Sequence, residues 1–154
     1  MSTITLEAIK SAHEQVAQMI AKYEQQPFRW EEPIMVRAPN LAPGELWVGV
    51  IISADGKKKH HIILLPGVKI GINWKDAMDW AKSIGGDLPD RAEGALLFAV
   101  MKDEFDPEWY WLNEQHASDS DCAWFQDFGY GNQDHDRKDG KFRARAVLRI
   151  YIED

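Results

Sequence analysis

Cysteine is almost absent from this chain: Cys122 is the single one in 154 residues, so no intrachain disulfide can form. Small extracellular domains are usually stapled by disulfides, so a lone cysteine points to folding in a reducing compartment. No apolar run approaches the roughly 18 residues that a membrane-spanning helix requires, and no membrane partner is expected. The opening residues Met1-Ser2-Thr3-Ile4-Thr5-Leu6-Glu7 lack the basic start and apolar core of a secretory signal, and cytoplasmic synthesis is expected. Basic charge is also short. Eighteen Lys and Arg stand against 25 Asp and Glu, a formal net charge of -7. That balance argues against nucleic-acid binding, which rests on phosphate neutralisation, and suits a surface that attracts a basic protein partner.

Catalytic signatures are missing as well. There is no Gly-x-Ser-x-Gly elbow, no phosphate-binding glycine loop and no dinucleotide fingerprint. Gly129-Tyr130-Gly131 reads as a turn, because no helix start follows it. Neither His-Glu-x-x-His nor Cys-x-x-Cys occurs, and His60 and His61, adjacent on a strand, face opposite sides and cannot share an ion. Asp119, Asp121, Asp134, Asp136, Asp139 and Asn132 offer oxygen atoms to a hard cation, and Asp134 to Gly140 superficially resembles a calcium loop. Lys138 sits where a ligand belongs, however, and the distal glutamate is missing, so solvated loop acids are the expectation. No enzyme, cofactor or metal site is expected, and Cys122 reads as a small buried residue.

What is present is one ordinary globular composition, 45% hydrophobic and 28% charged, at the length of one domain with a real core. Residues 1–26 read as an N-terminal helix, 27–45 as a connector and 46–154 as the main domain. Ile9, Val16 and Tyr23 recur at heptad spacing, with Leu6, His13 and Ile20 beside them; Thr3 or Thr5 caps the start and Gln25-Gln26-Pro27 ends it. This stripe either docks on its own domain or pairs with the same helix of a second copy. Pro33, Pro39 and Pro43 mark the connector. Leu46 to Ile52 and His60 to Leu65 form a hairpin across Ala54-Asp55-Gly56-Lys57.

Two helices follow. Asn73 with Asp76 caps the first, which buries Trp74, Ala77, Met78, Ala81 and Ile84 and stops at Gly85-Gly86. Asp90 with Glu93 caps the second, whose apolar face is Leu96, Leu97, Val100 and Met101. Strands are expected at Trp109 to Leu112, Ala123 to Phe128 and Phe142 to Tyr151. In the last, Arg143, Arg145 and Arg149 form a basic outer face.

Trp74-Lys75-Asp76-Ala77, Gly85-Gly86-Asp87-Leu88-Pro89, Glu93, Tyr110-Trp111, Ala123-Trp124 and Arg143-Ala144-Arg145-Ala146-Val147 together resemble a C-type-lectin-like domain family of unknown function common in bacteriophages and prophages. That family is similar in fold to phage receptor-binding tip proteins and to the variable proteins of diversity-generating retroelements. The resemblance implies an α+β, C-type-lectin-like fold: an antiparallel sheet with two central helices, here preceded by the N-terminal helix. It implies binding rather than chemistry. The Glu-Pro-Asn or Gln-Pro-Asp and Trp-Asn-Asp words of calcium-dependent sugar-binding lectins are absent, and Cys122 stands alone, whereas the formylglycine-generating enzymes that share the fold need cysteine chemistry at the active site.

The segments 113–121 and 130–136 mix Tyr, Asn, Gln, His, Asp and Ser, the composition of adaptable binding surfaces. The candidate site residues are Asn113, Glu114, His116, Trp124, Tyr130, Asn132, Asp134, His135 and Asp136, with Tyr130 the expected hot spot. A protein partner is expected, either a host surface met by a virion component or a host or defence protein bound inside the bacterial host cytoplasm. The alternative is calcium-independent carbohydrate binding by stacking of Trp or Tyr on a sugar ring.

Overall fold

In the computed structural model, which describes residues 5–25 and 36–153, the chain divides into two units, Met1–Arg37 and Ala38–Asp154. The first holds helix α1 (Leu6–Glu24), none of whose residues is buried. Thr5 caps it, its hydroxyl oxygen accepting the Ala8 amide at 3.2 Å. The other candidate cap, Thr3, the Gln26-Pro27 stop and residues 28–35 of the expected connector lie outside the described residues.

The second unit is mixed α+β. Strands β1 (Leu46–Ile52) and β2 (Lys59–Leu64) form the expected hairpin. After β3 (Lys69–Ile72) come helices α2 (Trp74–Ser83) and α3 (Arg91–Val100) and a short 3-10 turn at Lys102–Glu104. The chain then runs through β4 (Trp109–Gln115), β5 (Cys122–Asp127), β6 (Gln133–Arg137), β7 (Phe142–Ala144) and β8 (Val147–Tyr151). Two sheets result, one of three strands in the order β1-β2-β8 and one of five in the order β3-β7-β4-β5-β6. Among the described residues all strand pairings are antiparallel except a single parallel bridge between β4 and β7, at Tyr110 and Arg143.

Alternation along β4 divides the core in two. Trp111 points to α2, where Ala77 and Ala81 pack with Leu65, Leu88, Phe125 and Ala144. Tyr110, its neighbour, points the other way and packs with Ile62, Leu64, Leu97, Phe128 and Val147 beneath α3. Glycine makes the second contact possible: a Cβ at Gly94 would lie 2.8 Å from a Leu112 methyl. Of the expected faces, Ala77, Ala81, Leu97 and Trp111 are buried and Trp74, Met78 and Leu148 partly so. Val100, the last residue of α3, and Ile84, the C-cap of α2, are exposed.

Both central caps form, in different ways. At α3 the box is reciprocal: Asp90 Oδ1 accepts the Glu93 amide at 2.8 Å and Glu93 Oε2 accepts the Asp90 amide at 2.9 Å. At α2 Asn73 accepts the Asp76 amide at 2.9 Å, but the Asp76 carboxylate turns to the Asn73 side-chain amide, so half of that box is missing.

The expected last strand is broken. Residues 142–151 split at Arg145-Ala146, and its halves join different sheets, β7 pairing with β3 and β8 with β2. The expected basic outer face does not exist either. Arg143 pairs with Asp106, and Arg145 donates to the carbonyls of Glu104 (2.8 Å) and Leu65 (3.2 Å). Arg149 reaches inward to Glu93, Asp87 and the Leu88 carbonyl. Strands β3 and β6 have no counterpart in the sequence reading.

Glu93 is fully buried and ties these parts together. Its carboxylate accepts from Arg149 Nε (2.6 Å) and Nη2 (2.7 Å), from the Asp90 amide, and meets His60 Nε2 at 3.0 Å. Burial alone raises the Glu93 carboxyl, but the Arg149 guanidinium, the Asp90 amide and His60 reverse this and hold it below its ordinary value. Burial likewise opposes the charged form of Arg149, and its bonds to Glu93 and Asp87 outweigh that and raise it. Replacing Arg149 by Met leaves a buried carboxylate uncompensated and is expected to cost about 3–5 kcal/mol in chemical denaturation. The double change Glu93→Leu/Arg149→Met should recover most of that loss. Because the Glu93 value is depressed, its contribution is complete above the unfolded value of about 4.3 and fades as pH falls through the folded one. Thermal melts should show a shallower acid limb for Glu93→Gln than for the wild type.

Candidate functional site

The nine residues expected to bind do not form one patch. Three of them converge on the outer face of β5 and β6. The bonds Asp127 N to Asn132 O (2.9 Å) and Lys138 N to Asp121 O (2.8 Å) fix the phase of this ladder. They make Trp124 and His135 a pair that exchanges no backbone bonds, the arrangement that brings facing side chains closest. His116, after an irregularity in the β4–β5 register, is held beside them by its amide bond to the Cys122 carbonyl at 2.9 Å. The imidazoles of His116 and His135 stack with centroids 4.0 Å apart, and each lies 5.5 Å from the Trp124 ring.

Arg91 completes the group. Its guanidinium lies 3.7 Å from the Trp124 ring centroid, a cation–π contact that orders both side chains. Arg91 Nε donates to Gln133 Oε1 at 3.1 Å, and Gln133 Nε2 donates back to the Arg91 carbonyl at 2.6 Å and to the buried Gln126 Oε1 at 2.9 Å. Glu114 supports the same corner, its carboxylate accepting the Arg91 amide at 2.9 Å, so it caps the first turn of α3. Arg91 and Gln133 were not among the expected residues. Arg91 opens a helix in the sequence and Gln133 sits in an apparent loop, so neither carries a local signal.

The other expected residues lie elsewhere. Asn113 belongs to the ionic network under α3, its side-chain amide donating to Asp87 at 3.2 Å and its backbone amide to the Pro89 carbonyl at 2.9 Å. Tyr130 sits at the opposite end of the β5–β6 hairpin and is 89% exposed. The turn that displays it is built by Asp127. One oxygen of that carboxylate accepts the amides of Gly129 (2.7 Å) and Tyr130 (3.0 Å); the other accepts the Trp109 indole N–H (2.9 Å). Gly131 follows with φ +87°, and a Cβ there would fall 2.5 Å from Phe98, so only glycine closes this turn. Asn132 contributes its backbone carbonyl, which accepts from Gln126 Nε2 at 3.2 Å, while its side chain is exposed.

Asp134 and Asp136 lie on a strand, where a loop was expected. β6 is an edge of its sheet, and the ladder phase turns the amides of His135 and Arg137 outward. Each is taken by the carboxylate before it: Asp134 Oδ1 accepts from His135 N at 2.8 Å and Asp136 Oδ1 from Arg137 N at 2.7 Å. Two acids therefore close an edge that would otherwise recruit another strand. Asp134 Oδ1 also stands 3.2 Å from His135 Nδ1 and fixes that ring. Two residues before Trp124 on β5, Cys122 is 8% exposed; burial, then its bond to Asp119, raises its thiol and keeps it protonated. Among the described residues no group of three or more His, Cys, Asp or Glu is placed to hold a metal ion.

The capping role separates from charge by substitution. The double change Asp134→Ala/Asp136→Ala removes both acceptors and should produce concentration-dependent association in light scattering. Asp134→Asn/Asp136→Asn keeps a carbonyl oxygen at each position and should remain close to the wild type. Equal association by the alanine and asparagine pairs would assign the effect to lost charge.

No helix among the described residues is long and apolar enough to cross a membrane. No protein-family model and no curated protein matches this chain.

Proposed function

We propose that residues 38–154 form a non-enzymatic binding module of phage or prophage origin with a C-type-lectin-like fold, which grips a protein partner through the Arg91–Trp124–His135–His116 face. The fold assignment is supported by a β-hairpin, two capped helices and a second sheet carrying Trp109, Trp111 and Trp124 in that order. The observation that carries the functional reading is the stack itself. A partly exposed tryptophan is clamped between a guanidinium and two imidazoles; Trp124 and His135 are anchored on strands, Arg91 on a helix start, and His116 by its backbone hydrogen bond to Cys122 just past the end of β4. Rigid aromatic and arginine side chains lose little entropy on contact, which is why such groups dominate interface energetics. Exposed acids at Asp119, Asp121, Asp134 and Asp136 border the stack and favour a basic partner surface. Host-surface recognition in a virion and inhibition of a host or defence protein are two settings for the same chemistry.

Capture of a partner from bacterial host lysate, followed by titration of purified partner, tests the reading. Trp124→Ala should weaken binding by at least about 2 kcal/mol, and His135→Ala by about 1 kcal/mol, with the fold intact. Affinity should also fall with added salt, since the bordering charges are exposed. Binding unchanged in Trp124→Ala but lost in Tyr130→Ala would move the interface to the far end of the hairpin.

The same reading makes the N-terminal helix a self-association element. Leu6, Ile9, His13, Val16, Ile20 and Tyr23 alternate at three- and four-residue steps, the seam of a two-stranded coil, whereas a docking face is usually broader. Light scattering of the full chain should give more than one copy per particle. Ile9→Asp/Val16→Asp should reduce it to a single copy without lowering the melting temperature of residues 38–154.

A further inference from the structure

Trp109 is the one exposed tryptophan among those described, with 43% of its surface accessible. Exposure of so large a ring is unfavourable in water, yet this ring is not loose. It stacks on Phe125 (centroids 4.6 Å, 19°), meets Phe142 edge-on at 5.2 Å and donates its indole N–H to Asp127. Trp109 pairs with Asp127 and Trp111 with Phe125, so these rings share the sheet face opposite Trp124. On that face Trp109 and Phe142 line a cleft of about 270 Å³ with Ile70, Glu108, Lys141 and Arg143.

The charges of the cleft restrict its occupant. Arg143 is paired with Asp106. Neither the Glu108 nor the Lys141 side chain makes a hydrogen bond or ion pair among the described residues, Lys141 acting on Asp139 only through its charge, so the cleft offers one carboxylate acceptor and one ammonium donor beside an apolar floor. An apolar ligand would strip water from both without replacing its hydrogen bonds. An anion would face Glu108, and a cation would face Lys141 and Arg143. A neutral ring with a C–H face and hydroxyls on its rim meets every requirement: the face lies on the indole, one hydroxyl donates to Glu108 and another accepts from Lys141. The volume falls just below the range of roughly 300–1,000 Å³ for drug-sized ligands and suits one sugar residue.

We propose that the cleft between Ile70, Trp109 and Phe142 is a saccharide subsite that takes a single pyranose ring on the Trp109 indole, held by Glu108 and Lys141. It is separate from the Trp124 face and stands whether or not that face binds a protein.

The test uses the full chain labelled with ¹⁵N. Methyl glycosides of glucose, galactose, mannose, rhamnose and N-acetylglucosamine are titrated while the indole N–H signals are followed, the Trp109 signal being the one lost in Trp109→Phe. Phosphocholine and glycine serve as zwitterionic controls. At least one glycoside should shift the Trp109 signal saturably, with a dissociation constant on the order of millimolar. Trp109→Ala should weaken that glycoside by about tenfold or more, and Glu108→Gln and Lys141→Met each by about threefold. The last two alter exposed side chains that make no hydrogen bond or ion pair, so they read the site even if Trp109→Ala disturbs the Asp127 turn. The proposal is overturned if no glycoside shifts the signal up to roughly 50 mM, if only a zwitterion does, or if glycoside binding survives both Glu108→Gln and Lys141→Met.

Discussion

A carboxylate removed from water must find its full complement of donors, and in this protein that requirement joins distant parts of the chain. Glu93 meets it with Arg149 of β8, His60 of β2 and the Asp90 amide at the start of its own helix. Asp87 and Asn113 extend the network to the α2–α3 link and to β4. The three-stranded sheet, helix α3 and the five-stranded sheet are thereby set in one register. Apolar packing alone tolerates sliding of a helix over a sheet. A buried ion pair does not, because a small displacement leaves charge unpaired in a poorly polarisable interior.

The candidate binding face inherits its rigidity from that arrangement. Arg91 is the first residue of α3, so the network that seats the helix also seats the guanidinium over Trp124. Gln126 and Gln133 transmit the constraint by a chain of amide bonds from the buried interior to the surface. Asp127 does the corresponding work on the other face. It fixes the turn that carries Tyr130 and the indole that floors the Trp109 cleft, so two exposed aromatics depend on one buried carboxylate. Position on a strand decides which is which: Trp124 and Trp109 are on opposite faces because side chains alternate along β4 and β5.

Acidic residues, which give the chain its charge, divide by role once their partners are known. Glu93, Asp87 and Asp127 are structural. Asp134 and Asp136 guard the edge of β6, and their exposure is the condition for doing so, since the outward amides are themselves at the surface. Asp119 accepts the Cys122 thiol and the Asp121 amide within its own turn. Little of the acidity is surplus in this region.

Local chemistry was legible in the sequence. The Asp90/Glu93 box, the Asn73 cap, the hairpin through Gly56, the alternation that buries Trp111 and the turn displaying Tyr130 all rest on interactions within a few residues, which composition and spacing report directly. The second role of Glu93 was not legible, because Arg149 lies 56 residues away and nothing in either neighbourhood marks the other. β6 escaped notice because Gln-Asp-His-Asp-Arg has no apolar alternation; it is a strand through its pairing with β5 and not through burial of its side chains. The run from Phe142 to Tyr151 looked like one strand because its alternation is continuous, and the change of sheet at Arg145-Ala146 comes from which edges were open to receive each half. Of the candidate site, the sequence determined the residue types. Which of them meet was decided by the tertiary structure: strand register set Trp124 against His135, and the seating of α3 brought in Arg91, since contacts between distant segments have no signature in either segment alone.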